Sequence, residues 1–345
     1  MTGVFLMKMY VGMILGARNI FCILIVLFGC NRESNKFLVN NTGYAQGTTY
    51  SIKYYSDSLD FSKEIDSIFN VIDLSLSHYL DSSLIKDFNN SDDFCIIDKH
   101  FRNVYLDSKQ VSDITFGSFD CTVYPLIKFW GFLKKQTTQT SINYDYLDSI
   151  LNHVGYKNIW LEGDSILFKK NKCVKIDFNG IAQGYTVDVV CDFLEKQNIF
   201  DYLVEIGGEV RANNRLTGKK WKIGIEKPIK ERTFGNYASI VVLDSMSLAT
   251  SGNYRKFNFV DGEKFSHHIS PFSGKPINNE ILSVSVISKK CSFADAFSSA
   301  FMIMGIDSIK SVSKRHNIDY FVIYKDVFGD TVSDFSDGFK DKIVF

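Results

Sequence analysis

The chain has 345 residues, with 39 Lys and Arg against 39 Asp and Glu, and its formal net charge of zero argues against a protein built to hold bulk nucleic acid. With 45% apolar and 23% charged residues it is neither disordered nor collagen-like, and seven cysteines are too few for a disulfide-dense miniprotein. The length suffices for one large or two modest cores.

The N-terminus reads as an address. After Arg18 comes an uncharged, mostly apolar run, and its core from Ile20 to Phe28 is shorter than the roughly 17–25 residues that span a bilayer. That length suits an export signal. Leu27-Phe28-Gly29-Cys30 resembles a lipoprotein cleavage box, so residues 1–29 are expected to be a cleaved signal peptide and Cys30 the lipidated first residue. Residues 30–42 are polar and are expected to be a tether, with residues 43–345 as the catalytic domain. The cysteines beyond the leader (Cys95, Cys121, Cys173, Cys191 and Cys291) are scattered and lack metal spacing, so most are expected to be buried small hydrophobes, with one disulfide possible at most.

Along the rest of the chain, alternation and β-branched or aromatic content predict strands at Gly47–Tyr55, Tyr202–Val210, Trp221–Glu226, Ser239–Leu243, Ile281–Ile287 and Tyr320–Tyr324. Helical periodicity covers about Phe61–Leu76, Tyr144–His153, Ile181–Lys196 and Phe293–Gly305. The mixture of hairpin-like and helix-linked connections points to an α+β fold, and the absence of any Pro- or Ser-rich divider points to one catalytic unit of two closely packed lobes.

Several clusters combine glycine, short polar residues and acids. Ala45-Gln46-Gly47-Thr48 opens a strand, and Gly117-Ser118-Phe119-Asp120-Cys121-Thr122 precedes Pro125-Leu126 and Trp130-Gly131-Phe132. Asp177-Phe178-Asn179-Gly180-Ile181-Ala182-Gln183-Gly184-Tyr185 has the strand–turn–helix grammar that lets backbone N–H groups approach phosphate, and its helix contains Asp188. It is not a dinucleotide fingerprint, and read alone it is equally a plain turn. Ala249-Thr250-Ser251-Gly252 and His267-His268-Ile269-Ser270-Pro271 follow. A histidine beside a turn is suited to general-base work, although such pairs are commonly surface features. Tyr79, Phe119, Trp130 and Tyr254 are candidates for stacking on a flat heterocycle, or for the core. Ser83-Leu84-Ile85-Lys86 matches the SxxK of acyl-enzyme penicillin binders, but the companion motifs are missing.

The last cluster is Ser292-Phe293-Ala294-Asp295-Ala296-Phe297-Ser298-Ser299. Ser292 with Asp295 three residues on is a helix-start signal of the capping-box kind. Asp295 and Ser299, four apart, share one helix face and offer hard oxygens suited to Mg²⁺. A capped core helix is the alternative reading of the same residues.

Taken in order, these clusters resemble the FAD:protein FMN transferase (ApbE-like) family from about Gly43 to Gly305. The lipoprotein leader fits that family too. The resemblance implies an α+β fold of the family's T-fold type and transfer of FMN from FAD, the substrate, to a Ser or Thr hydroxyl of an exported flavoprotein such as a membrane respiratory subunit. AMP leaves and Mg²⁺ is required. It implies an enzyme held to the membrane at Cys30 and facing the periplasm or outside. It further implies Ala182 (by its carbonyl), Asp295 and Ser299 as metal ligands and His267 as the base. Gln46, Tyr79, Ser118, Phe119, Asp120, Asn179, Tyr185 and Ile269 fall where the family holds FAD, with Asp188 and Thr250 supporting the metal or phosphates.

The sequence departs from the family's pattern at Ser299 (usually Thr), Gln183 (commonly Lys), Ser270 (usually Asp) and Phe272-Ser273 (commonly a basic residue and Thr). Two alternatives use the same pocket: an FAD pyrophosphatase releasing FMN and AMP, and a flavin-binding lipoprotein without catalysis.

Overall fold

The computed structural model describes residues 36–57, 59–133, 142–215, 218, 220–229, 235–253, 257–260 and 263–344. The expected signal peptide, Cys30 and Tyr254 lie outside the described residues. Leu38–Phe345 form one compact unit. No helix among the described residues is long and apolar enough to cross a membrane.

The strands are β1 (Phe37–Ala45), β2 (Thr48–Ser56), β3 (Phe94–Ile96), β4 (Ile159–Glu162), β5 (Ile166–Lys169), β6 (Asp201–Ile206), β7 (Glu209–Asn214), β8 (Trp221–Glu226), β9 (Tyr237–Leu243), β10 (Met246–Gly252), β11 (Phe257–Val260), β12 (Glu263–Ser266), β13 (Ile281–Ser288), β14 (Asp319–Lys325) and β15 (Thr331–Phe335). The helices are α1 (Ser62–Leu76), α2 (Leu84–Asn90), α3 (Lys99–Ile114), α4 (Tyr124–Phe129), α5 (Tyr144–Leu151), α6 (Ala182–Lys196), α7 (Cys291–Met304), α8 (Ile306–His316) and α9 (Asp337–Lys340).

Eight strands build the main sheet in the order β1-β2-β6-β7-β10-β13-β14-β15, and β3-β5-β4 form a smaller one. Each neighbouring pair from β2–β6 to β14–β15 is antiparallel. Alternation along these strands sorts side chains between two faces. On one face, Ala249, Val284, Val286 and Val322 join α3, α6 and α7 through Phe101, Val104, Tyr185, Phe297 and Phe301. On the other, Leu248, Ile287, Phe321 and Ile323 meet the β8–β9 hairpin and Phe339 of α9. This is an α+β architecture, and the face toward α3, α6 and α7 is the one that the site draws on.

Two expectations are corrected, and one helix stands where none was expected. The stretch taken as a tether up to residue 42 enters the sheet at Phe37, because Val39 packs against the core around Ile52 and Tyr54 and Asn41 Nδ2 donates to Asp60 Oδ1 at 3.1 Å. The strand expected over Tyr202–Val210 is a hairpin: Gly207 and Gly208 take φ of +69° and +110°, which glycine adopts without strain, and reverse the chain. The long helix α3 escaped the sequence reading although Phe101, Val104, Tyr105 and Val111 stand at helical spacing; Asp98 caps it, accepting from Phe101 N–H at 2.8 Å. All the described cysteines are free thiols, and Cys121, Cys191 and Cys291 are buried, as expected of small core residues.

Candidate functional site

The site grows from the crossing of α6 and α7. Gly184 sits at the contact: a Cβ there would fall inside van der Waals range of the Cys291 carbonyl oxygen and 2.8 Å from Asp295 Cβ. This close approach lets Asp295 Oδ2 accept the Gly184 N–H at 3.1 Å, so the buried carboxylate lies at the N-terminal end of α6, where its charge is favoured. One turn along α7, Ser299 Oγ lies 3.2 Å from Ser251 Oγ, which is also 2.8 Å from Ser298 Oγ. A Cβ on Gly180 would be 3.3 Å from Ser299 Oγ and 3.4 Å from Phe119 Cε2. Asp295, Ser299, the turn before α6 and Phe119 therefore converge. Ala182 is the first residue of α6, and its carbonyl accepts from Thr186 Oγ1 at 2.8 Å.

The start of α7 differs from the expected capping box. Ser292 lies inside the helix, not at its cap, and its hydroxyl donates to Asp107 Oδ2 at 2.9 Å. The cap comes from another helix: Asp188 Oδ1 accepts Cys291 N–H and Oδ2 accepts Ser292 N–H, both at 2.9 Å. Burial pushes the Asp188 carboxyl up, while these two N–H groups and Arg211, 3.0 Å away, pull it back. Asp188 thus holds the helix that carries Asp295 and Ser299, and acts on the site through it. An Asp188→Ala variant is expected to lose about 2–4 kcal/mol of stability, because two helix N–H groups and a partly buried guanidinium lose their partner; chemical denaturation would measure it.

Thr250 is corrected to the far face. Its Oγ1 pairs with Ser285 Oγ at 2.8 Å across β10–β13, on the side of Leu248. The next residue, Ser251, faces α7 instead, as strand alternation requires.

The remaining expected residues occupy several settings. Gln46 sits in the β1–β2 turn with its Oε1 buried and unpartnered, and Gln183 Nε2 donates to its carbonyl at 3.5 Å. Tyr79, 78% exposed, follows α1. Asn179 is exposed and is held to Asp177, with its N–H on Oδ1 at 2.7 Å and Nδ2 on Oδ2 at 3.0 Å. Ser118 and Phe119 are buried, and Thr115 Oγ1 accepts Phe119 N–H at 3.1 Å. The Asp120 carboxylate is spent on its own loop and on the segment at Tyr156: it accepts from Thr122 N–H and Oγ1 at 2.7 and 2.6 Å and from Tyr156 N–H at 2.7 Å, and burial pushes its pKa up to about 6. Tyr185 turns into the core, where its hydroxyl lies 3.0 Å from His100 Nδ1.

Ile269 is a core residue beside Leu126, Trp130, Leu147 and Ile150, and it bridges Pro276 across the turn. His267 lies just beyond β12, half-buried, with its ring centroid 4.1 Å from that of His268. The turn after it returns to the first cluster: Trp130 Nε1 donates to the Gly274 carbonyl at 2.7 Å, and the Phe272 ring lies beside Gly117, next to Ser118.

Sequence reasoning missed Asp107, Arg211, Ser251 and the buried pair His78–Asp177. Ser251 was in a flagged motif, but the face of the strand was not readable from it. Asp107 belongs to α3, whose periodicity would have found it. The other pairings join residues far apart in sequence.

For oxygen-seeking metals the donor set is one carboxylate, one hydroxyl and a backbone carbonyl, which fits Mg²⁺ rather than zinc. No group of three or more His, Cys, Asp or Glu residues able to hold a metal occurs among the described residues, so a cation here would depend on Asp295 for its protein charge.

Comparison with known proteins places these features in company. Residues 46–322 match the model of the ApbE family. The chain is 33% identical over 327 residues to the FAD:protein FMN transferase of Vibrio cholerae, covering 92% of this chain and 93% of that protein. It is 30% identical to the FAD:protein FMN transferase of Haemophilus influenzae, covering 87% and 89%. Among solved structures, the flavin transferase ApbE from Vibrio cholerae aligns with a TM-score of 0.79 at 32% identity, over 89% of this chain and 99% of that one. The apo flavinyl transferase ApbE of Pseudomonas stutzeri also gives 0.79, at 30% identity, over 89% and 97%.

Proposed function

Because the chain belongs to the ApbE family, we propose that it is an FAD:protein FMN transferase, moving FMN from FAD to a Ser or Thr hydroxyl of another protein. The observation that carries this reading is the convergence of Asp295, Ser299, Gly180 and Phe119 where α6 crosses α7, in a chain similar over most of its length to flavin transferases.

The acceptor oxygen attacks the phosphorus on the FMN side of the pyrophosphate. A new P–O bond forms, the bond to the bridging oxygen breaks, and AMP departs with that oxygen. Asp295, Ser299 and the Ala182 carbonyl would hold Mg²⁺, which when bound neutralises charge on the pyrophosphate and the leaving AMP. The chain's own parts do the rest. At the N-terminal end of α6 the Ala182 N–H donates to the Phe178 carbonyl and the Gly184 N–H to Asp295, so this end favours the pyrophosphate's negative charge by the field of the helix. The unpartnered Gln46 Oε1, exposed Tyr79 and exposed Asn179 supply polar and stacking contacts for the dinucleotide. An imidazole nitrogen of His267 takes the hydroxyl proton as the acceptor attacks. Water in the acceptor's place would instead give FMN and AMP.

The same proposal includes export and anchoring through a lipid on Cys30, supported by the short apolar run Ile20–Phe28 and the residues Leu27–Cys30. The acceptor is then an exported or membrane flavoprotein. Intact-mass analysis of exported proteins from cells with and without the gene tests the reading. A protein gaining the mass of one phosphoester-linked FMN only when the gene is present is the expected result. Free FMN and AMP from the purified enzyme, with no protein carrying the adduct, would make it a pyrophosphatase.

A further inference from the structure

A buried histidine–aspartate pair lies behind two of the loops assigned to FAD. His78 directly precedes Tyr79, and Asp177 opens the turn through Asn179 and Gly180. Both side chains are almost fully enclosed, with His78 Nε2 3.3 Å from Asp177 Oδ2 in a close polar contact that lacks hydrogen-bond alignment. The His78 ring is stacked on Tyr124, with centroids 4.9 Å apart and planes 22° from parallel. The rest of the Asp177 carboxylate is committed to Asn179, taking its N–H on Oδ1 and its Nδ2 on Oδ2. The Asp177 N–H donates to the Cys121 carbonyl at 2.7 Å, just past Asp120.

One side chain and its own backbone therefore tie together the segments bearing Tyr79, Asn179 and Ser118–Asp120. Enclosing two ionisable groups is unfavourable compared with packing apolar ones, and burial indeed pushes the His78 pKa down and the Asp177 pKa up. What such a pair supplies is a fixed register between loops that have no helix or strand hydrogen bonds to each other.

We propose that His78 and Asp177 are positioning residues for FAD, locking the Tyr79 loop to the Asn179 turn so that both meet the dinucleotide already in place. This rests on the reading above that these loops hold FAD. Pre-organisation of this kind acts on binding, not on the chemical step.

The test uses His78→Phe, which keeps the ring over Tyr124, Asp177→Asn, which keeps an oxygen for the Asn179 N–H, their double variant, and His78→Gln, which keeps a donor toward Asp177. FAD affinity is read from flavin fluorescence, and KM and kcat from AMP release in the presence of the acceptor found by intact mass. Each single substitution to Phe or Asn is expected to raise Kd and KM for FAD about ten-fold while kcat stays within about two-fold. The double variant is expected to be no worse than the more affected single variant, and His78→Gln to recover most of the loss. Unchanged Kd in folded variants, additive losses in the double variant, or a fall in kcat at constant KM would each overturn the proposal. Should His78→Phe fail to fold, Asp177→Asn and His78→Gln carry the same comparison. If the unaltered protein neither binds nor cleaves FAD, the functional reading fails and the pair's role falls with it. Binding by the unaltered protein with indifferent variants sinks only the pair.

Discussion

An Asp295→Ala variant is expected to fold and to release AMP from FAD about 1,000-fold more slowly or worse, a loss of roughly 4 kcal/mol in transition-state stabilisation. Asp295 is the carboxylate among the three proposed metal ligands, so its removal takes away the protein's charge at that spot. The same substitution deletes the acceptor of the Gly184 N–H, costing about 1–2 kcal/mol of stability. Asp295→Asn separates the two effects, since it keeps an oxygen for Gly184 and drops the charge. Both variants should be inactive with FAD and excess Mg²⁺, while only the Ala variant shows the larger drop in melting temperature. An active Asn variant would reduce Asp295 to a structural hydrogen-bond acceptor and remove the metal from the proposal.

Gly184→Ala is expected to be nearly as damaging by a different route. The added methyl would overlap the Cys291 carbonyl and crowd Asp295 Cβ, so α6 and α7 must separate. Overpacking of this kind costs about 1–3 kcal/mol. The start of α7 cannot move freely, because Asp188 grips its first two N–H groups one turn further along α6. The strain therefore falls on Asp295, and a displacement of about 1 Å there is enough to slow catalysis on the order of 100-fold. Denaturant midpoints and AMP-release rates measured on one preparation check both halves. A variant with lowered stability and full activity would show that the helix crossing does not set the ligand geometry.

Much of the fold was legible because local pattern and tertiary environment agree. The strand Trp221–Glu226 matches the structure at both ends, and the helices expected from Phe61, Tyr144, Ile181 and Phe293 differ only at their termini. Where reading failed, a local rule was incomplete. The run Tyr202–Val210 is apolar enough for one strand, but Gly207-Gly208 splits it. Residues 30–42 read as polar when taken together, which passed over Phe37-Leu38-Val39, and Val39 and Asn41 have partners on other elements that only folding brings near. In the site, Thr250 and Ser251 were indistinguishable because alternation shows that they point apart without showing which one meets α7. Ser292 looked like a cap because the sequence holds no trace that Asp188, a hundred residues earlier, would do that work.

The order of the motifs by itself determined the family and the fold class, because each motif carries its own local pattern: a strand–turn–helix segment, a carboxylate and a hydroxyl on one helix face. Only the tertiary structure decided which of those groups meet. Gly184 lets two helices touch, Asp188 fixes their register, and the alternation of β10 puts Ser251 beside Ser298 and Ser299 while Thr250 pairs with Ser285 on the far face. The physical reason is range. Hydrophobic periodicity and turn chemistry act over a few residues and leave their mark in sequence, whereas a hydrogen bond between residues a hundred positions apart exists only once burial has chosen which faces come together.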